Sequence, residues 1–259
     1  MKVDLLLVPF GADWSDMRQT ARWAEDSGFD GLWTWDHLSG AAYGSAHSLE
    51  AWTVVSALAD ATTTIAIGPM VLNVANRDPD TLAVMAATLQ HISSGRLILG
   101  LGAGSNSRSA FSSEQLALGR CVASDRERRA NVQSAVNRIR RTWALGSGFL
   151  EPSPHPPIVL GAHGPKMAKL AAETADGMDV ESPQGEALEL IQYARSVLPP
   201  GKDFLVSTRL RLDQDSKDFP STVQQWITAA VDRVIIHIRP PYESKHDQLL
   251  SSLRFIRSS

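Results

Sequence analysis

The chain has 259 residues, 43% of them apolar, and a formal net charge of −3. That size and apolar share support a large core, while a small negative charge without a long basic run argues against nucleic acid as a partner. No stretch nears the roughly 18 apolar residues of a membrane helix, the amino terminus is interrupted too soon for a signal peptide, and the lone cysteine, Cys121, excludes an internal disulfide and fits a reducing cytoplasm.

Val3 to Phe10 reads as an apolar strand, with Gly11-Ala12-Asp13 as its turn. Met17, Ala21 and Ala24 recur at helical spacing, and Gly28 suits the helix stop. Asp13 before that helix reads first as a cap. Gly31 to Trp35 is a second strand ending at Asp36-His37, followed by a loop with Tyr43, Gly44 and His47. Trp52, Val55 and Ala59 mark a helix. Ile65 to Leu72 is a third strand, interrupted by Gly68-Pro69. Asp78 then caps a helix starting at Pro79, with Leu82, Met85, Leu89 and Ile92 on one face.

Leu97 to Leu101 is uninterrupted by charge and is followed by glycines, as in a strand buried on both faces of a parallel sheet. A long helix from Ser124 to Trp143 turns Val132, Val136, Ile139 and Trp143 inward. Cys121, just before it, reads as an inert helix residue. A connector dense in glycine and proline, Gly146 to Pro157, leads to strand Ile158–Leu160, loop Gly161-Ala162-His163-Gly164-Pro165 and a helix over Met167–Thr174. Strand Gly177–Val180, helix Glu186–Val197, strand Phe204–Leu212, helix Val223–Ala230, strand Val234–Ile238 and helix Asp247–Phe255 complete the chain.

Eight strands alternating with eight helices predict a single α/β domain over residues 1–259, a (β/α)₈ TIM barrel, with a doubly wound open sheet as the alternative. A barrel places its chemistry at the carboxyl ends of its strands. Those positions here are Asp13, Asp36, His37, Asn73, Asn76, Arg77, Ser105, Asn106, Arg108, His163, Glu181 and His237. Spacing alone leaves His37 equally compatible with an acid–base role and with a histidine satisfied inside the barrel mouth. The loops at Gly102–Ser107 and Gly161–Pro165 offer backbone N–H groups to a phosphate. No metal-ligand spacing, nucleophile elbow or Walker loop is present. The residues by themselves predict a barrel enzyme that binds a phosphorylated ligand.

Four segments add a resemblance. They are Gly28–Leu38, which ends a strand in Asp-His; Ile67–Val71 with Arg77-Asp78-Pro79; Thr88–Gly104; and Pro157–Pro165 with Leu170–Gly177. Over about residues 1 to 180 the chain resembles the luciferase-like monooxygenase superfamily, and most of all its branch that uses the deazaflavin coenzyme F420. The resemblance implies an F420-dependent oxidoreductase passing a hydride between the deazaflavin and a small organic substrate. An FMN-dependent monooxygenase and a non-catalytic flavin-binding relative are the alternatives on the same fold. It implies that His37 and Asp36 are catalytic, with Asp36 orienting His37. Pro69 and Met70 match a bulge, often with a cis bond, behind the ring. Asn73, Gly104, Ser105 and Asn106 would lie along the coenzyme, and Gly161, Ala162, His163 and Gly164 would hold its phosphate. Members of the family often form homodimers. Ser105 stands where some members carry a glutamate, His163 where many carry glycine, and the connectors are short, which predicts either a more open substrate pocket or no substrate at all.

Overall fold

A computed structural model describes residues 1–181, 184–211 and 219–259. The strands are β1 (Lys2–Leu7), β2 (Gly31–Thr34), β3 (Ala66–Pro69), β4 (Leu72–Asn73), β5 (Leu99–Gly102), β6 (Ile158–Ala162), β7 (Gly177–Val180), β8 (Leu205–Arg211) and β9 (Arg233–Ile238). They form one sheet in the order β3-β2-β1-β9-β8-β7-β6-β5-β4, with every pairing parallel. The helices are α1 (Trp14–Asp26), α2 (Ala51–Ala61), α3 (Pro79–Ile92), α4 (Ser113–Ala117), α5 (Asp125–Trp143), α6 (Pro165–Thr174), α7 (Gln184–Ser196), α8 (Phe219–Thr228) and α9 (His246–Ser258).

The ninth strand comes from a break rather than from an added unit. β3 and β4 are the two halves of the expected third strand. The first half pairs with β2, Thr34 opposite Pro69. The second pairs with β5, Leu72 opposite Leu101. A bridge between Ile67 and Leu97 joins the first half to the segment entering β5. The sheet is thereby a nearly closed (β/α)₈ barrel. The Met70–Val71 peptide at the break is cis. β5 accepts the break only because it carries no side chains there. A Cβ on Gly100 would lie 2.2 Å from the Pro69 carbonyl oxygen, and one on Gly102 would lie 2.4 Å from Val71 Cγ2.

The apolar runs are explained by burial on both faces. In β1, Leu5 and Leu7 pack outward under the helices, whereas Leu6, and Val8 just beyond the strand, point into the barrel with Trp33, Met70, Ile98, Val159 and Ile235. Asp4 also lies inside. It accepts from Arg233 Nε at 2.6 Å, Arg233 Nη2 at 2.9 Å and Trp33 Nε1 at 2.9 Å.

Two caps fall where the sequence places them: Asp13 accepts from Ser15 N at 2.8 Å and Asp78 from Thr81 N at 3.0 Å. Ser124, read as the first residue of α5, instead precedes it and forms a reciprocal capping box with Glu127. Val132, Val136, Ile139 and Trp143 are buried as expected. Three readings change. Ile92 is 60% exposed, because α3 ends there and its last residue turns off the buried stripe. Cys121 is exposed in the coil between α4 and α5. The short helix α4 has no counterpart in the sequence reading. The expected strand end at Leu212 lies outside the described residues. Among these residues no helix is long and apolar enough to cross a membrane.

Glu25, on α1, ties that helix to the start of β3. Its carboxylate accepts from the backbone N–H groups of Thr63, Thr64 and Ile65. Burial works against its charge, but these donors hold its pKa at about 2, against an ordinary 4.5. A carboxylate with a depressed folded pKa contributes stability above its unfolded pKa and loses it as pH falls through the folded one. Glu25→Gln is expected to lower stability by about 2 kcal/mol near neutral pH. Urea unfolding should show the difference between parent and variant shrinking as pH falls from 4.5 towards 2.

Candidate active site

A cleft of about 740 Å³ opens at the carboxyl ends of the strands. Of the expected site residues, Asp36, His37, Met70, Asn73, Gly104, Ser105, Asn106, Gly161, His163 and Gly164 line it. Pro69 and Ala162 do not: Pro69 is the last residue of β3, and Ala162 packs outward in the core beneath the helices. Glu181 also lines the cleft, whereas Asp13, Asn76, Arg77, Arg108 and His237 do not.

Asp36 is locked rather than free. Its side chain is fully buried and receives Arg77 Nη1 and Nη2, each at 2.8 Å. It also accepts from the Asn73 N–H at 2.8 Å and from Asn76 Nδ2 at 3.2 Å. Arg77 reaches on to Glu50, the cap of α2. Burial presses against the Arg77 charge, but Asp36 and Glu50 raise its pKa above the ordinary arginine value. A half-buried guanidinium bonded at both prongs fixes the loop after β4 against the end of β2.

His37 therefore has a different partner from the one expected. Its Nδ1 donates to Glu114 Oε1 at 3.4 Å, and Glu114 Oε2 accepts the Leu38 N–H at 2.9 Å. Glu114 sits on α4, the element absent from the sequence reading, and its side chain is 6% exposed. The two networks meet at Asn76, which donates to Asp36 and accepts from Gln115 Nε2 at 2.8 Å. Among the described residues, Asp36 reaches His37 through Asn76 and α4. Around His37 the rings of Phe111 and Phe10 lie 4.2 and 5.3 Å away, and Trp35 stands edge-on at 6.4 Å. Phe10 also stacks on Tyr43 at 4.6 Å. This end of the cleft is aromatic.

The opposite end is cationic. Gly164 caps α6 with no side-chain bond, leaving the first turn's N–H groups and its partial positive charge towards the cleft. Lys166 stands on that turn without an ion-pair partner among the described residues. Arg128, which also lines the cleft, pairs with Asp125 at 2.8 Å and donates to the carbonyls of Ala103 and Gly104. Its Nε is buried with no partner among the described residues. His163 Nδ1 donates to the Glu181 carbonyl at 3.0 Å. Arg209, 6% exposed, ties Asp179 and Glu181 together and reaches the Met70 carbonyl at 3.4 Å. Burial works against its charge, and the two carboxylates more than offset that. No group of described residues is arranged to hold a metal ion.

A sequence profile of the family described as luciferase-like monooxygenase matches residues 2–246. An F420-dependent glucose-6-phosphate dehydrogenase from Nakamurella multipartita is 27% identical over 215 residues, which is 77% of this chain and 60% of that protein. The corresponding protein of Amycolatopsis mediterranei is 27% identical over 255 residues, covering 93% and 69%. A 5,10-methylenetetrahydromethanopterin reductase from Archaeoglobus fulgidus is 30% identical over 194 residues, covering 73% and 56%. The chain thus spans about three fifths of the length of such relatives. Among solved structures, an F420-dependent secondary alcohol dehydrogenase carrying an F420–acetone adduct superposes with a TM-score of 0.82 at 17% identity, over 98% of each chain. The F420-dependent tetrahydromethanopterin reductase of Methanopyrus kandleri gives 0.68 at 16%, over 97% and 96%. At those identities the structural likeness establishes the fold alone.

Asp36→Asn leaves the Arg77 guanidinium buried with half its compensation, and is expected to destabilise by about 3–5 kcal/mol. Glu114→Gln keeps an acceptor for the Leu38 N–H and should stay within about 1 kcal/mol of the parent. Urea titration of the two variants measures the contrast directly.

Proposed function

We propose that this chain, which belongs to the luciferase-like monooxygenase family, is a coenzyme F420-dependent oxidoreductase that moves a hydride between the deazaflavin and a small organic substrate. The observation that carries this reading is the polarity of the cleft. One end is an aromatic nest around His37 and Glu114, and the other is a helix amino terminus flanked by Lys166 and Arg128. A flat, apolar ring with a phosphorylated tail has the same two-ended character. The unpartnered Arg128 Nε is a donor that an anionic oxygen would satisfy. The names of the curated relatives support the same cofactor.

In this reading Met70, Val71 and Asn73 would lie against the ring, and Gly161, His163, Gly164 and Lys166 would meet the phosphate. Bound deazaflavin supplies a ring carbon that accepts or releases a hydride. The protein's share is proton handling and exclusion of water. With its Nδ1 proton held by Glu114, His37 presents a lone pair at Nε2. That nitrogen takes the hydroxyl proton of a substrate being oxidised and returns it in the reverse direction. Ser105 has no strong acid to offer, so the pair His37–Glu114 carries this task. Phe10, Phe111 and Trp35 keep water from the reacting face.

Fluorescence titration with F420 and with FMN tests the cofactor. F420 is expected to bind at least tenfold more tightly, and preference for FMN would instead support a monooxygenase. Lys166→Ala should weaken F420 binding by about tenfold, the loss of one charge-assisted contact. His37→Ala should lower turnover by about 10²-fold or more, read as bleaching of F420 by active members of a panel of small alcohols and hydroxy acids. Unchanged turnover in His37→Ala removes the assigned role.

A further inference from the structure

The carboxylate opposite His37 is carried by a helix that cannot hold itself in place. α4 has five residues, too few to be stable without outside contacts. Its apolar side chains do not supply them: Leu116 is 61% exposed, and Leu118, just past the helix, is 55% exposed. Phe111, ahead of the helix, adds ring contacts to His37 and Phe10. The buried side chains of α4 itself are polar, Glu114 and Gln115, each 7% exposed. Glu114 meets His37 Nδ1 and the Leu38 N–H. Gln115 donates through Nε2 to Asn76 Oδ1 at 2.8 Å.

Asn76 is fixed from the barrel side. Its N–H donates to the Asn73 carbonyl at 3.0 Å, and Asn73 Oδ1 accepts from the Ala75 N–H at 3.0 Å, so the turn after β4 is closed by its own bonds. The side-chain amide has one workable orientation. An ionised Asp36 only accepts, so Nδ2 faces its Oδ2, at 3.2 Å. Oδ1 is then turned to two donors, Gln115 Nε2 and, at 3.1 Å, Arg120 Nη1. We infer that Asn76 is a positioning residue for His37: through Gln115 it fixes where α4 sits, and so keeps the Glu114 carboxylate against Nδ1. Asn76 does not line the cleft, so its effect passes through the helix. The inference rests on the reading of His37 as the proton-handling group, and names the residue that sets its tautomer. A neutral imidazole can carry its proton at either ring nitrogen, and only the Nδ1–H form leaves Nε2 free to accept one.

The test reads the tautomer directly, by NMR of the full chain carrying isotope-labelled histidine ring nitrogens, without cofactor and at a pH where the ring is neutral. The His37 signals are assigned by their absence from His37→Gln. The parent is expected to show the proton at Nδ1, and Glu114→Ala to move it towards Nε2. Asn76→Ala should shift the tautomer in the same direction as Glu114→Ala. Gln115→Ala breaks the same link while leaving Asn76 on Asp36, and should do likewise; it decides the matter alone if Asn76→Ala does not fold. A purely structural Asn76 would lower the urea midpoint and leave the tautomer at its parent position, which overturns the inference. So does a parent whose His37 proton is at Nε2, or a Gln115→Ala variant with the parent tautomer. With F420 and an active substrate, Asn76→Ala should lower kcat several-fold and leave KM unchanged; a parent-like kcat despite a shifted tautomer also overturns it. The tautomer is measured without cofactor, so failure to bind F420 would refute the cofactor reading while a shifted tautomer still supports the positioning role.

Discussion

The third barrel strand and β5 approach each other more closely than side chains allow, and much of the cleft depends on that contact. With Gly100 and Gly102 bare, the chain can break between Pro69 and Leu72 without leaving the barrel. The break lets one strand serve two neighbours, β2 below and β5 above. It also brings Met70 into the inner core and Val71 to the cleft wall. Asn73, set just beyond it, offers its N–H to Asp36, and from there the Arg77 fork fixes the mouth. A straight third strand would provide none of these positions.

Buried arginine–carboxylate pairs recur through the barrel. Asp4 with Arg233, Asp179 with Arg209 and Asp36 with Arg77 each combine burial with several hydrogen bonds. Such pairs add little net stability compared with a packed apolar alternative, because desolvation offsets most of the attraction. Their value lies in geometry. Arg209 joins β7, β8 and the Met70 carbonyl, so the floor of the cleft is referenced to three strands at once.

The fold was legible because its signals are local and repeated. Alternating strand and helix patterns, Asp13 and Asp78 as caps, and the inward stripe of α5 all follow from nearest-neighbour chemistry. The break was visible as Gly68-Pro69, although not its consequence of a strand changing partners, since pairing is a property of the closed sheet. Within the cleft, residues on the strand ends were foreseeable from topology. The partner of His37 was not. Asp36 is adjacent in sequence, yet it is captured by an arginine 41 residues away. Glu114 is 77 residues from His37, on a short helix with no strong period to announce it. Arg128 was equally hidden, because an outward-facing arginine on a helix carries no mark of the loop it braces.

The placement of Glu114 has a consequence for how such a barrel diversifies. α4 belongs to the long excursion between β5 and α5 and contributes no strand or core layer to the barrel. The histidine is therefore inherited with the scaffold, and its carboxylate with a replaceable loop. Exchanging that excursion between relatives would change the partner of His37 while leaving the barrel's folding problem unchanged. Chemistry and architecture can drift at different speeds along one chain.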